Sequence, residues 1–238
     1  MNLITLQTKP STNFQDNLDH LEELILQTPK ESFILAPELS LTGYAYGRII
    51  EAGKFTKKAI EKLTLLSKER TISLTMTNKE CEDYFNTFYI FHKGKIIHKQ
   101  SKIKLFALND ENKYFESGRE EDIKLFEIDE LKIGVLVCFE LRFIDYWQKL
   151  KGADIILIPA MWGAKRKDNY ETLSKALAVA NQCFVIASDS ADESCAKGSA
   201  IITPFGDVTI DDNKEIISKT IDLKEIKLMR KYLDVGIQ

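Results

Sequence analysis

No stretch of this chain stays apolar for the ~20 residues a helix needs to cross a bilayer. Met1 to Gln7 is short and is followed at once by the polar Lys9 to Asn13, so no secretion signal is expected. An excess of positive charge is also missing. Lys and Arg number 33 against 36 Asp and Glu, a net charge of −3, which leaves no basic stripe for a nucleic-acid partner. The most lysine-rich run, His92 to Lys104, is interleaved with Ile96, Ile97 and Ile103 and reads as a solvated hairpin. The four cysteines (Cys81, Cys138, Cys183, Cys195) contain no C-x-x-C pair and no accompanying histidine spacing. Neither a metal centre nor any other cofactor is therefore expected. Of only three histidines, His20 falls in an amphipathic helix while His92 and His98 flank a polar hairpin; none is placed as a catalytic base. The expectation is a soluble cytoplasmic protein with reduced thiols, without membrane or nucleic-acid partners.

What is present is an alternation of strand and helix signals. Strands are predicted at Asn2–Gln7, Ser32–Ala36 and Thr71–Met76, with helices at Asn13–Gln27 and Ile49–Lys68. In the first helix Phe14, Leu18, Leu21, Ile25 and Leu26 fall near one face. Phe85–Phe91 and Lys95–His98 form a hairpin around Lys93-Gly94, and Ile123–Ile128 pairs with Leu131–Val137 across Asp129-Glu130. Helix Leu141–Lys151, strand Asp154–Pro159, helix Tyr170–Asn181 and strand Phe184–Ser188 follow. Glycine-punctuated strands then run from Gly198 to Ile210, and Asp222–Tyr232 is a closing helix. Continuously apolar strands such as Ile155-Ile156-Leu157-Ile158 are covered on both faces. With no repeat, low-complexity tract or linker, residues 1–238 read as one α/β domain.

Three segments carry chemistry. An apolar run ends at Cys138, in Lys132-Ile-Gly-Val-Leu-Val-Cys-Phe-Glu-Leu-Arg-Phe143, at the strand end where α/β sheets place their ligands. A buried structural thiol is the alternative. Glu38 follows a strand that Pro37 terminates, in Ala36-Pro-Glu-Leu-Ser-Leu-Thr-Gly-Tyr44. Alternation puts Lys102 and Lys104 on one side of a strand, Ile103 and Leu105 on the other. Taken singly, Glu38 reads as a solvated loop carboxylate and the two lysines as exposed strand residues.

Together and in this order, the glutamate, lysine and cysteine segments resemble the motifs of the nitrilase or carbon–nitrogen hydrolase superfamily, over nearly the whole chain. The chain departs from the pattern at Lys104, where a histidine is common, and at Ile144, where proline is frequent. Leu177 and Ala180 stand where many relatives carry Arg and Glu. The resemblance implies a four-layer α-β-β-α sandwich, paired through helices as a homodimer or higher homo-oligomer. It also implies that Asp110-Glu111 supplies a second active-site glutamate, Glu111, with Glu116 as its rival.

By that resemblance the protein hydrolyses a small linear amide and releases ammonia. Cys138 attacks as nucleophile, Glu38 acts as general acid and base, and Lys102 with the Phe139 N–H stabilises the oxyanion. Glu111 orients Glu38's proton or the substrate nitrogen. Trp162 with Met161 and Gly163, and Tyr44 with Tyr46, are candidates for side-chain recognition. Lys165 and Arg166 either bind a substrate carboxylate or stand as loop charges in water. Arg142 and Glu140 pair with each other or line the pocket mouth; Cys183 and Cys195 are packing or incidental thiols. The omega-amidase branch, acting on amides of short dicarboxylic keto acids, is the nearest match. Alternatives are an N-carbamoyl hydrolase, a nitrile hydrolase, an acyl transferase, and a non-catalytic binding module on the same fold.

Overall fold

The computed structural model describes residues 1–237. The first half of the chain runs β1 (Asn2–Leu6), α1 (Phe14–Gln27), β2 (Ser32–Leu35), α2 (Ile49–Leu66), β3 (Thr71–Glu80), β4 (Asp83–His92) and β5 (Lys95–Ser101). The second half runs β6 (Phe126–Ile128), β7 (Leu131–Val135), α3 (Ile144–Lys149), β8 (Ile155–Pro159), α4 (Lys167–Asn181) and β9 (Phe184–Ser188). It closes with β10 (Ala200–Ile202), β11 (Val208–Ile210), β12 (Ile216–Thr220) and α5 (Lys224–Tyr232). Each half builds its own six-stranded mixed sheet, ordered β12-β1-β2-β3-β4-β5 and β11-β10-β9-β8-β7-β6. The exception is β12, which returns to pair antiparallel with β1.

The period of two along the strands sorts the core into layers. Leu3, Phe33, Leu35, Phe88 and Ile90 of the first sheet join the cluster that holds the second sheet's Ile133, Val135, Leu157 and Ile186. Their neighbours Ile4, Ile34, Tyr89 and Phe91 pack instead with Leu18, Leu21 and Ile25 of α1 and Ala59 and Leu63 of α2. Tyr170, Leu177 and Ala178 of α4 belong with the second sheet. The architecture is an α-β-β-α sandwich. Polar side chains also stitch the sheets together: Thr5 Oγ1 donates to Ala187 O at 2.7 Å, Ser188 Oγ to Leu6 O at 2.6 Å, and Gln100 Nε2 to Val135 O at 3.3 Å.

Several local expectations need correction. Leu26 is exposed, and Leu24 takes its place on the buried face of α1. The strand expected from Ile123 is confined to Phe126–Ile128, because a 3-10 turn occupies Glu120–Asp122. The helix expected from Leu141 is a 3-10 turn over Cys138–Arg142, an extended Phe143, and then α3. Strand β12 was not anticipated; its partner lies at the other end of the chain. Leu177 is fully buried.

Gly118 locks the turn beside β5. Its N–H donates to Lys102 O at 2.9 Å, and a Cβ there would strike the Ser101 carbonyl. Gly118→Ala is expected to cost about 1–3 kcal/mol, as overpacking does, measured by urea unfolding.

Candidate active site

The carboxyl ends of parallel β2, β7 and β8 and the end of β5 meet at one rim of the sandwich. After β2, Glu38 N–H donates across to Ala160 O at 3.2 Å, beyond β8 on the other sheet. Leu39 then adopts φ +47° and donates to Thr75 Oγ1 at 2.7 Å. The turn closes where Gly43 N–H reaches Leu39 O at 2.7 Å, at φ +58°, a conformation that favours glycine. The effect is to carry the Glu38 side chain into the interior, fully buried.

Lys102 follows β5 and is fully buried as well. Its Nζ lies 2.8 Å from Glu38 Oε1 and 2.9 Å from both oxygens of Glu111. The expected pairing of Lys102 with Lys104 on one side of a strand is wrong, because the strand ends at Ser101. Lys104 remains half-exposed over the Phe143 and Tyr146 rings. Glu111 also accepts the Tyr44 hydroxyl on Oε1 at 2.7 Å and the Phe106 N–H on Oε2 at 3.1 Å. Glu116, its rival, is exposed.

Cys138 sits at φ +53° in the turn after β7. A side chain rarely adopts that conformation, and such strain of order 1–3 kcal/mol collects at functional sites. Among the described residues no acceptor meets the next N–H, that of Phe139.

The electrostatics follow from burial. It opposes the Lys102 charge, but Glu38, Cys138 and Glu111 outweigh it and hold the ammonium above its ordinary range. The Cys138 thiol is pushed well up by burial and by Glu38, with Lys102 pulling the other way. Burial raises Glu111 too, against Lys102. Tyr44 is raised by burial and the neighbouring carboxylates, so it stays a donor. Glu38 Oε1 is saturated by Lys102 and by Asn86 Nδ2, each at 2.8 Å, whereas its buried Oε2 has no partner among the described residues.

Cys138 and Glu111 open onto a cavity of about 320 Å³, at the small end for ligand sites. Tyr44, Phe106, Phe139, Arg142, Trp162 and Arg166 also line it. Lys165 is exposed and is not among the lining residues.

The sequence pattern of the carbon-nitrogen hydrolases matches residues 4–231. The chain belongs to the carbon–nitrogen hydrolase family. It is 32% identical to a 2-oxoglutaramate amidase of Bacillus subtilis, over 95% of this chain and 91% of that protein. It is 26% identical to an omega-amidase of Xenopus laevis, over 94% and 89% of the two chains. In fold it matches a nitrilase-superfamily structure from Saccharomyces cerevisiae with a TM-score of 0.86 at 21% identity, covering 100% of this chain and 96% of that one.

Around the site of this carbon–nitrogen hydrolase, three residues escaped the sequence reading of their roles. Asn86 braces Glu38; its signal was a polar residue inside the aromatic strand Tyr84-Phe-Asn-Thr-Phe-Tyr89. Asp189 is buried, which pushes its carboxyl well up. Its Oδ1 accepts the Trp162 and Ser190 N–H groups at 2.9 Å each, fixing the tryptophan at the cavity wall. Glu140 makes no ion pair with Arg142: it is fully buried and accepts backbone N–H groups from Ile103 and Val137. Arg142 turns outward to the cavity, with its guanidinium 4.6 Å from the Trp162 ring centroid and 3.0 Å from Asn169 Oδ1.

Proposed function

We propose that this protein is an amidase of the omega-amidase kind, cleaving a short linear amide through a thioester on Cys138. The observation that carries this reading is the buried Lys102 ammonium held between two carboxylates, near a strained cysteine that opens with Glu111 onto a small cavity. Neither an exposed charge cluster nor a packing thiol requires that arrangement.

The thiol proton passes to Glu38, whose unpartnered Oε2 is the free acceptor, as sulfur attacks the amide carbon. Lys102 has three protons. Glu38 and Glu111 take two, and the third has only a long 3.5 Å contact with the Tyr44 hydroxyl. It is free to meet the developing oxyanion, with the Phe139 N–H as second donor. Collapse breaks the C–N bond, Glu38 returns the proton to nitrogen, and ammonia leaves. Water then attacks the thioester while Glu38 takes its proton, and the acid departs as the C–S bond breaks and the thiol is reprotonated.

The substrate's far end is read by charge. Arg142 and Arg166 line the cavity, stacked on Trp162 and Phe106, and among the described residues neither pairs with a carboxylate. They suit a terminal carboxylate, such as that of a dicarboxylic keto-acid amide, and the 2-oxoglutaramate amidase relative supports this class. Ammonia release from a panel of omega-amides, neutral amides and carbamoyl amines, with intact-protein mass spectrometry, tests the proposal. Turnover of omega-amides with an acyl adduct on Cys138 is the expected result. Carbon dioxide release from carbamoyl amines alone would replace it with a carbamoyl hydrolase. Arg142→Met is expected to raise KM for the carboxylate-bearing amide about 10–100-fold, the worth of a charge-assisted hydrogen bond, while leaving KM for a neutral amide unchanged.

A further inference from the structure

Glu140 lies beside the cavity without lining it, and the scheme above gives it no task. Its Oε1 accepts the Ile103 N–H at 2.6 Å and its Oε2 the Val137 N–H at 2.7 Å. Ile103 is the residue after Lys102, and Val137 is the residue before Cys138. One buried carboxylate thus ties the segment that follows the first sheet's edge strand, β5, to the nucleophile turn of the second sheet. We infer that Glu140 is a positioning residue of the reaction, clamping Lys102 and Cys138 at the separation the oxyanion contacts require. The inference rests on the thioester reading.

The clamp needs both oxygens as acceptors. Short bonds from N–H to a carboxylate are charge-assisted and therefore strong. A carboxylic acid or an amide would turn a donor toward one of the two N–H groups and lose that bond. Burial pushes Glu140 up to about 7, opposed by the Ile103 and Val137 N–H groups and by the Lys102 charge. The other groups facing it are Lys104, through its backbone N–H, and the Tyr146 phenol, which feels the Glu140 charge. Cys138 lies two residues away in the same turn. The sign is therefore set: above pH 7 the clamp is complete, and below it one bond is lost.

The test is Glu140→Gln, which keeps size and removes one acceptor. kcat and KM for an omega-amide are measured from pH 5.5 to 9, together with iodoacetamide alkylation of Cys138 read by peptide mass spectrometry. The expected result is a fall in kcat of about 10²-fold, as small misplacements of reacting groups cause. KM is unchanged, because Glu140 does not line the cavity, and the acid limb near pH 7 disappears. Cys138 alkylation slows because the Lys102 charge no longer sits in register with the thiolate, while exposed Cys81 reacts as before. A folded Glu140→Gln protein with wild-type kcat, pH limb and alkylation rate overturns the inference. Should that variant not fold, Glu140→Asp keeps the charge but, a methylene shorter, reaches only one N–H. Its kcat is expected to fall at least ~10-fold, and wild-type kcat would overturn the clamp. If the wild-type protein turns over no amide, the thioester reading falls. Alkylation still decides the clamp: slower in the variant supports it, equal rejects it.

Discussion

Cys138→Ala is expected to reduce amide turnover to background, a loss on the order of 10⁵-fold or more, as for other enzymes deprived of their nucleophile. Alanine keeps Cβ and removes only the sulfur, which opens onto the cavity, and it occupies φ +53° no more comfortably than cysteine does. Thermal stability should therefore stay within a few degrees. Ammonia release and a melting curve on the same preparation check both statements. Turnover surviving in a folded Cys138→Ala protein would sink the thioester mechanism outright, since Cys195, the other cysteine lining the cavity, belongs to a different loop.

Glu38→Gln is the second large effect. Glutamine reproduces the Oε1 that accepts from Lys102 and Asn86, and it places its amide nitrogen where Oε2 has no partner among the described residues. The buried ammonium keeps Glu111 as its counter-charge at 2.9 Å. The fold should consequently survive, while both proton transfers are lost. A fall in kcat of about 10³–10⁴-fold is expected, toward the upper end for general acid–base catalysis, with KM little changed. Were kcat intact and KM raised, Glu38 would be a substrate-binding residue instead.

The α/β class with covered sheets was legible because strands buried on both faces must be apolar at every position, and Ile155 to Ile158 is such a run, whereas the layer count came from the family resemblance alone. The positions of Glu38 and Cys138 were legible for a related reason: a charged or reactive residue just past such a run has no other place than the sheet's rim. Lys102 was harder. Its strand alternates, and alternation alone places Lys104 beside it. Only the end of the strand at Ser101, set by pairing with Thr87, separates a buried ammonium from a half-exposed one. Glu140 and Asp189 could not be assigned, because each holds a backbone N–H far off in sequence, Ile103 for Glu140 and Trp162 for Asp189, and a backbone donor leaves no mark on residue type. Strand β12 has the same origin. Of Ile216 to Thr220 only Ile217 is buried, and what makes the segment a strand is the hydrogen-bond edge of β1.

The division of the site between two sheets has a consequence for how the protein comes into being. Glu38 and Lys102 follow strands of the first sheet and Cys138 follows a strand of the second, so on the proposed mechanism no half of the polypeptide, however well formed, contains a working centre. During synthesis the acid–base and cationic partners emerge before the thiol, which acquires reactivity only when the two sheets dock and Thr5, Ser188 and Gln100 close their bonds between them. On that mechanism catalytic activity is a report on docking of the two sheets, and an incompletely folded chain carries a thiol without its acid–base and cationic partners.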